Sequence, residues 1–316
     1  MSLDQFLNTL FNSAQPIRRT DLMEFSGMTP EELGLVRRMW QDIDAQRRTE
    51  LLEQLVEITE DNLEADFNDL FRFCLTDREP EVRARAVEGL WECDDRTLVA
   101  PLTLLLQGDP SSTVKAEAAL ALGKFAILAQ MGKMLPKDGE RIRQVLLQTV
   151  HSQEEDQEVI RRALEAVAPF NTREVQQIIQ AAYESDEPKM RHSAVYAMGK
   201  SGDPKWLPVI IKEMGSPDPA MRYEATSACG ELGEEQAIPH LVQLFQDEDS
   251  QIQASAVAAV GAIGGSLARR VLLGCLKSSD DVVAEAAQAA LGNMEAGERS
   301  ISMSFGTYPR PSRRSR

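Results

Sequence analysis

Residues 190–202 read MRHSAVYAMGKSG and residues 221–233 read MRYEATSACGELG, so the second stretch repeats the first after 31 residues. The same step of 31 residues places a glycine at Gly199, Gly230, Gly261 and Gly292. Four further columns keep this register: Val159, Met190, Met221, Ile252 and Val283; Ala163, Ala194, Ala225, Ala256 and Ala287; Ala166, Ala197, Ala228, Ala259 and Ala290; and Val167, Met198, Cys229, Val260 and Leu291. Agreement of several columns over successive copies indicates an internal repeat.

The columns predict an amphipathic helix in each copy, because their members fall at i, i+4, i+7 and i+8. An acidic residue three positions before the stripe, such as Asp218 or Asp249, suits a helix N-terminus. Pro188 and Pro219 then fall in the first turn, where a missing N–H costs little. We expect the glycine column to end each helix in a left-handed conformation.

A second apolar stretch lies between successive copies, as in DPKWLPVIIKEM at 203–214 and EQAIPHLVQLFQ at 235–246. Each stretch is long enough for about three helical turns. Every repeat is therefore predicted to be two antiparallel helices joined by short links. Such a unit cannot bury its apolar face alone and must stack on its neighbours.

The cores EPKMRHSAVYAMG (187–199), DPAMRYEATSACG (218–230) and DSQIQASAVAAVG (249–261) resemble HEAT repeats, in particular the short bacterial kind also found in phycobilisome-lyase-like proteins. The third core is less faithful, since Gln253 replaces the arginine. The resemblance covers residues 77–294. It implies an all-α fold, a right-handed α-solenoid of stacked antiparallel helix pairs in a HEAT/armadillo-like superhelix. Such solenoids carry many functions, so the resemblance says little about activity.

Three segments follow from this pattern. Residues 1–76 are predicted to be an N-terminal helical cap or divergent repeats, residues 77–294 the repeat array, and residues 295–316 a flexible basic tail with five Arg against two Glu. The tail either has no role beyond solubility or docks on an acidic surface, including that of this chain. An insertion near 125–139 is either a helix extension or a methionine-rich contact surface.

A capping box is predicted within the N-terminal segment, with Thr29 as the N-cap and Glu32 at the third helical position. An arginine or lysine column follows the first stripe residue, and its members are Arg83, Lys115, Arg191 and Arg222. In similar HEAT arrays such residues form ladders with acidic residues between repeats. Exposed pairs of this kind are worth about 0–1 kcal/mol, so we expect them mainly to fix the angle between repeats.

Composition excludes several classes of function. The formal net charge of -16 and pI of about 4.8 oppose general nucleic-acid binding and suit a protein or peptide partner that is neutral or carries basic patches. No stretch approaches a membrane span of about 20 apolar residues, and the N-terminus is not typical of a secretory signal. The four cysteines show no C-x-x-C spacing, which is typical of a cytoplasmic protein without a zinc or redox site.

The sequence predicts no catalytic, cofactor-binding or metal-binding residues. Its three histidines, His151, His192 and His240, lack the H-x-x-x-H spacing of a two-histidine metal face. Deoxyhypusine hydroxylases, a related HEAT-repeat family, bind a di-iron centre through His-Glu pairs, but here Ser152, Ser193 and Leu241 follow the histidines. Phosphate-loop and G-x-S-x-G motifs are also missing from the sequence.

The exposed face of the repeat helices is the candidate partner surface. It comprises the positions two, three and six after the first stripe residue, which in HEAT proteins line the concave face. Its chemistry is richest at Arg161, Arg162, His192, Tyr196, Tyr223 and Glu224, and Ser193 and Glu165 occupy the same positions. Tyr and Arg are common interface anchors, although an ordinary solvated face explains the pattern equally well. Trp91 and Trp206, at repeat links, are interpreted as packing residues.

The favoured function is a non-enzymatic scaffold or adaptor that binds a protein or peptide on the concave face of the solenoid. The alternative, implied by the phycobilisome-lyase-like resemblance, is a bilin lyase or a chromophore-handling chaperone. Both hypotheses use the same repeats, and they differ in whether the face holds a polypeptide or a tetrapyrrole.

Overall fold

The computed structural model describes residues 17–62 and 64–305 together with Leu7, and gives side-chain detail as far as residue 296. Within these residues all regular structure is helical, with seventeen α-helices and several 3-10 turns and no strand. The chain divides into two units, residues 1–170 and 171–316. The described residues leave out most of residues 1–16, in the predicted N-terminal segment, and residues 306–316, in the predicted tail. The division into three segments stays a prediction.

The first unit contains nine described α-helices. They are α1 (Arg19–Leu22), α2 (Pro30–Met39), α3 (Ala45–Asp61), α4 (Asn68–Cys74), α5 (Pro80–Gly89), α6 (Val99–Gly108), α7 (Ser112–Gln130), α8 (Pro136–Val150) and α9 (Gln157–Val167). The helices α3, α5, α7 and α9 pack on one another in sequence order, and α4, α6 and α8 pack beside them.

The second unit contains eight described α-helices. They are α10 (Arg173–Tyr183), α11 (Pro188–Lys200), α12 (Leu207–Glu213), α13 (Pro219–Leu232), α14 (Ile238–Gln243), α15 (Ser250–Ile263), α16 (Gly265–Cys275) and α17 (Asp281–Phe305). The helices α11, α13, α15 and α17 carry the repeated columns and pack in that order, so we call them the repeat helices. The connecting stretches begin with 3-10 turns at Pro204–Trp206 and Glu235–Ala237.

Helix starts follow the predicted capping chemistry. The Thr29 side chain accepts the Glu32 N–H and the Glu32 carboxylate accepts the Thr29 N–H, which confirms the capping box. The Asp218 and Asp249 side chains accept backbone N–H groups at the starts of α13 and α15. Glu187, in the same column, makes no side-chain cap. These contacts satisfy N–H groups that have no partner inside the helix.

The columns build the core of the second unit. Ala194, Ala225 and Ala256 are fully buried, as are Met198 and Cys229. Burial of these side chains is the main favourable contribution to stacking, at about 25 cal/mol per Å² of apolar surface removed from water. The all-α solenoid predicted from the repeat is confirmed at the level of fold class.

The expected role of the glycine column is wrong. Gly199 and Gly230 lie inside their helices, and the left-handed residues are the second set, Gly202 and Gly233, with φ of 63° and 74°. A Cβ at Gly199 would stand 2.7 Å from the Ala228 Cα of the next repeat helix. The column is therefore glycine because adjacent repeat helices approach each other there. In the first unit, a Cβ at Gly123 would likewise stand 3.2 Å from the Ala166 Cα.

The arginine ladder is present at Arg83 and Arg222, but these two members are buried, which the sequence does not predict, whereas Lys115 is half-buried. Arg83 donates from Nε and Nη2 to Asp109 at 2.7 Å each, and Arg222 donates to Asp247 at 2.9 and 3.0 Å. Side-chain exposure is 9% and 4% for the first pair and 10% and 7% for the second. Arg48 makes a single hydrogen bond of 3.0 Å to Asp77, whose second oxygen accepts from the Trp40 indole N–H.

The partner in the ladder is also different from the predicted one. Asp109 and Asp247 lie five residues before the next stripe begins, at the turn, and not three residues before it. Each of these carboxylates also accepts a backbone N–H two residues later. Ser216 occupies this position in the repeat that follows Arg191, which leaves the Arg191 residue exposed.

The inserted residues near 125–139 lengthen a helix. Helix α7 runs to Gln130, a turn follows, and α8 starts at Pro136. Ile127, Met131 and Leu135 in this region are exposed large hydrophobic residues. The segment therefore combines a helix extension with an exposed apolar stripe.

Candidate functional site

The second unit brings four of the six candidate residues onto adjacent repeat helices. His192 and Tyr196 lie on α11, and Tyr223 and Glu224 lie on α13. His192, Tyr196 and Glu224 are half-buried, and Tyr223 is 45% exposed. Tyr223 thus has the largest free surface of the four and can bury it on a partner.

His192 is held by the start of the next repeat helix. Its Nε2 lies 2.8 Å from Oδ2 of Asp218, the N-cap residue of α13. Burial alone would raise the pKa of the Asp218 carboxyl, but the hydrogen bonds from His192 and from the Ala220 N–H outweigh it and lower that pKa below its ordinary value. The contact joins α11 to α13 and fixes the imidazole beside the face.

Tyr196 and the basic residue after it form a second link along the face. The Lys200 Nζ lies 5.5 Å from the centroid of the Tyr196 ring, within the range of a cation–π contact. The same Nζ lies 2.7 Å from the Glu231 carboxylate, which belongs to the end of α13. The ring and the ion pair therefore set one edge of the surface between α11 and α13.

An open cavity of about 790 Å³ lies between α13 and α15. One wall carries Tyr223 and Glu231, and the floor is made of small side chains, among them Ser227, Ser255 and Ala258. The Ser227 and Ser255 hydroxyl oxygens are 3.3 Å apart across the two helices. The cavity is an open groove with an aromatic residue and a carboxylate at its side.

A second open cavity of about 720 Å³ continues the first between α15 and α17. Both cavities share Ala254, Ala258 and Ala262, which lie on α15. The far wall is Asn293 and Met294 on α17. We call the two together the alanine groove, whose lining includes Tyr223, Ser227, Glu231, Ala254, Ser255, Ala258, Ala262, Ala286, Ala289, Asn293 and Met294.

Sequence reasoning undervalued the alanine groove. The candidate residues predicted from the sequence lie on α9, α11 and α13, and none of them is at Ala254, Ala258 or Ala289. Their small size is the signal, because consecutive small residues at the exposed positions of α15 and α17 leave room between helices that larger side chains would fill.

Arg161 and Arg162 lie in the first unit, on α9, and both are engaged by glutamates of their own helix. Arg161 bonds to Glu158 at 2.5 and 2.9 Å and to Glu165 at 2.9 Å, and Arg162 bonds to the same two residues at 3.1 and 3.0 Å. The hydrogen bonds from Arg161 lead the causes that lower the pKa of Glu158. The cluster is a neutralised polar network, in which the two guanidinium groups offer little unpaired charge.

Glu117, on the neighbouring helix α7, is the carboxyl of this cluster whose pKa is raised. Burial raises the pKa of Glu117, and the nearby charge of Glu88 adds to the effect. Arg162 and Arg85 partly oppose the rise. The face of the first unit is thus charged, in contrast to the small-residue groove of the second.

Three expectations about exposure are wrong. Ser193 and Glu165 are 1% and 6% exposed, although their helix positions predict an exposed face. A helical wheel describes one helix, whereas burial here depends on where the adjacent helix packs. Trp206 is 4% exposed, which confirms it as a packing residue, but Trp91 is 50% exposed and is not one.

The described side chains offer no second reactive cluster. No group of three His, Cys, Asp or Glu among them is arranged to hold a metal ion. Cys74 and Cys229 are buried, and burial raises the pKa of the Cys229 thiol to about 12. None of the helices in the described part of the chain combines the length and apolar character needed to cross a bilayer.

Comparison with known families decides the relationship. A family model described as HEAT repeats matches residues 68–149, 142–212 and 207–292 in succession. The chain belongs to the HEAT-repeat family. The matched HEAT repeats begin within the predicted N-terminal segment and extend to residue 292, within the last repeat helix, α17. The match does not confirm the narrower phycobilisome-lyase-like type.

Several solved structures are similar to this chain at low identity. Human deoxyhypusine hydroxylase in complex with glycerol is 20% identical, with 93% of this chain and 96% of that chain covered and a TM-score of 0.37. Yeast importin-beta is 14% identical over 92% of this chain and 46% of its own, with a TM-score of 0.48. An engineered protein is 23% identical over 63% of this chain and 97% of its own, with a TM-score of 0.39. Comparison with curated proteins gives no match.

Proposed function

We propose that this HEAT-repeat chain is a non-enzymatic protein-interaction scaffold that holds an extended segment of a partner in the alanine groove. The observation that carries the proposal is the groove itself: two adjoining open cavities of about 790 and 720 Å³ that share the alanines of α15. A floor of Ala, Gly and Ser lets a bound backbone come close to the helices. Ligand sites in proteins are concave in the same way, with few polar groups that orient the ligand.

Tyr223 and His192 give the surface its specificity in this proposal. Tyr223 has a free ring face at the wall of the groove, and tyrosine anchors bury large area at little entropic cost. His192 is oriented by Asp218 on the adjacent helix. Tyr196 and Glu224 lie on the same pair of helices and stay candidates for partner contact.

The partner we propose is basic. Residues 171–305 contain nineteen Asp and Glu against eleven Lys and Arg, a formal charge of -8. Glu231 lines the groove with a side chain that is 51% exposed. A segment with Lys or Arg beside small apolar residues would match this surface, and charge complementarity would mainly raise the association rate.

Arg161 and Arg162 are weaker candidates for partner contact. They lie on the first unit, and their guanidinium groups are already bonded to Glu158 and Glu165. A partner would have to displace these glutamates to reach them. The bilin-handling alternative stays a prediction that no feature of the described residues favours.

The test fills the groove with a large side chain. Ala258 is exposed and lines both cavities, so Ala258→Trp blocks the floor without entering the core. Ala181→Trp is the matched control, because Ala181 is an exposed alanine on α10 of the same unit and does not line the groove. Full-length wild type and both variants are immobilised, and the proteins that each one captures from a lysate of its source cells are compared by mass spectrometry.

The proposal expects proteins captured by the wild type and by Ala181→Trp to be lost from Ala258→Trp. A set of proteins that is the same for all three chains would overturn it, and so would the absence of any captured protein. Tyr223→Ala is expected to weaken the same captures by about 1 kcal/mol or more, the usual cost of truncating an interface anchor.

A further inference from the structure

We propose that the chain's own segment 306–316, GTYPRPSRRSR, binds in the alanine groove and competes there with the partner. The inference rests on the proposed function, since it assigns a regulator to the same groove. It follows from the position at which the last helix ends, the charge of the segment and the shape of the groove.

The segment is attached within reach of the groove. Helix α17 ends at Phe305, and Met294, eleven residues earlier on the same helix, lines the groove. Eleven helical residues span about 16 Å, and each helix-to-helix step across α17 and α15 adds about 8–10 Å. An extended chain of eleven residues covers up to about 36 Å. Residues 306–316 therefore reach Met294 and Ala258 without any movement of the helices.

The positive charge of the segment favours its binding to the acidic second unit. The segment carries Arg310, Arg313, Arg314 and Arg316 and no Asp or Glu, whereas residues 171–305 carry a formal charge of -8. Glu231 stands at the groove and Glu285, beside the lining residue Ala286, is exposed. Opposite charges attract over about 10 Å at 0.1 M salt and over only about 3 Å at 1 M, so occupancy depends on ionic strength.

The shape of the segment suits a surface made of helices. Pro309 and Pro311 fix φ near -65° and offer no N–H. The helices that form the floor satisfy their own backbone groups, so they present no free carbonyl row for a strand to pair with. A proline-containing extended segment therefore loses no hydrogen bond there.

Covalent attachment makes the competition effective. A segment on a short tether has an effective concentration in the millimolar range, so even weak intrinsic binding fills the groove much of the time. A partner with higher affinity displaces it. Removal of residues 306–316 is then expected to tighten partner binding, by about tenfold if the tethered segment occupies the groove nine-tenths of the time.

The test is a cross-link within the full-length chain. Cys93 and Cys275, the two cysteines that are not buried, are replaced by Ser. Ser312→Cys is then combined either with Ala258→Cys in the groove or with Ala296→Cys. Ala296 is an exposed alanine on α17, closer to the segment along the chain and outside the groove lining. Both double variants are treated with a short bismaleimide, and yields are corrected for the single-site reactivity of each cysteine.

Binding in the groove predicts at least about threefold more cross-link at 258 than at 296, because the local concentration of the segment is raised there. Changing the four arginines to Ser, or adding 1 M salt, should lower the yield at 258 to that of the control. Equal or greater cross-linking at 296 overturns the inference, and so does a yield at 258 that neither the arginine substitutions nor 1 M salt lowers. If partner capture still depends on Ala258, the proposed function stands in that case and the role of the segment alone fails.

Discussion

Arg83 on α5 and Asp109 before α7 meet through two hydrogen bonds of 2.7 Å, with both side chains almost wholly buried. The same paired contact joins Arg222 to Asp247 in the second unit. The two bonds fix the guanidinium plane relative to the carboxylate. Each arginine therefore ties one repeat to the turn that begins the next, and the spacing between repeats is set by this contact as well as by apolar packing.

Removal of the arginine should destabilise the fold strongly. In Arg83→Ala the Asp109 carboxylate stays buried without its partner, and breaking a buried pair costs about 3–5 kcal/mol. Arg85→Ala, two residues further along the same helix, breaks ion pairs with Glu53 and Glu88 that are 40–44% exposed and should cost at most about 1 kcal/mol. Urea denaturation followed by circular dichroism measures both changes. Similar small losses for the two variants would contradict a structural role of the buried pair.

Arg191 lacks the acidic partner that Arg222 has, and one substitution can supply it. Ser216 occupies the position that Asp247 has in the next repeat, and its hydroxyl accepts the Asp218 N–H as the Asp247 carboxylate accepts the Asp249 N–H. Ser216→Asp is expected to add about 0.5–1 kcal/mol to the free energy of unfolding, since Arg191 starts from an exposed position. The gain should vanish when Arg191 is also changed to Ala, and a gain that persists in the double variant would refute the ladder explanation.

The glycine column gives a test of close helix approach. Gly199→Ala would bring a Cβ to 2.7 Å from the Ala228 Cα, and such overpacking costs about 1–3 kcal/mol. Gly292 belongs to the same column on α17, but a Cβ there meets nothing within 4 Å. Gly292→Ala should therefore stabilise the protein by about 0.5–1 kcal/mol through helix propensity. Thermal unfolding of the two variants should shift in opposite directions, and shifts of the same sign would argue against the close approach.

Thiol reactivity should follow burial. Burial raises the pKa of Cys229 to about 12 and that of Cys74 well above its ordinary value, so the reactive thiolate is scarce at both at pH 8. Cys93 is only half-buried, and the Arg72 Nη2 lies 3.4 Å from its Sγ. Iodoacetamide is expected to label Cys93 first and Cys229 last, as measured by peptide mass spectrometry. Equal rates at Cys93 and Cys229 in the folded protein would be inconsistent with the buried position of Cys229.

The periodic features of the fold were predictable because they depend on local rules. Ala194 and Met198 are buried where the column places them, and Thr29 and Glu32 form their capping box because both partners lie within one turn. The family match confirms the HEAT repeats that these columns indicate.

Contacts between repeats were harder to predict. Arg222 pairs with Asp247, 25 residues away, and the sequence offers Asp218 and Asp249 as equally plausible partners. The sequence of one repeat predicts a helix end at Gly199, because it does not show that Ala228 of the next repeat packs against this glycine. The groove at Ala258 depends on the space between two helices, which a pattern read along one helix does not contain.

The central claim is that the alanine groove binds a protein partner. Its most direct test is the affinity of a purified captured partner for the full-length chain and for Ala258→Trp and Ala181→Trp, measured by isothermal titration calorimetry. We predict that Ala258→Trp weakens binding at least about tenfold, or about 1.4 kcal/mol, while Ala181→Trp binds as the wild type does. Equal affinity for all three chains, with both variants folded, would contradict the claim.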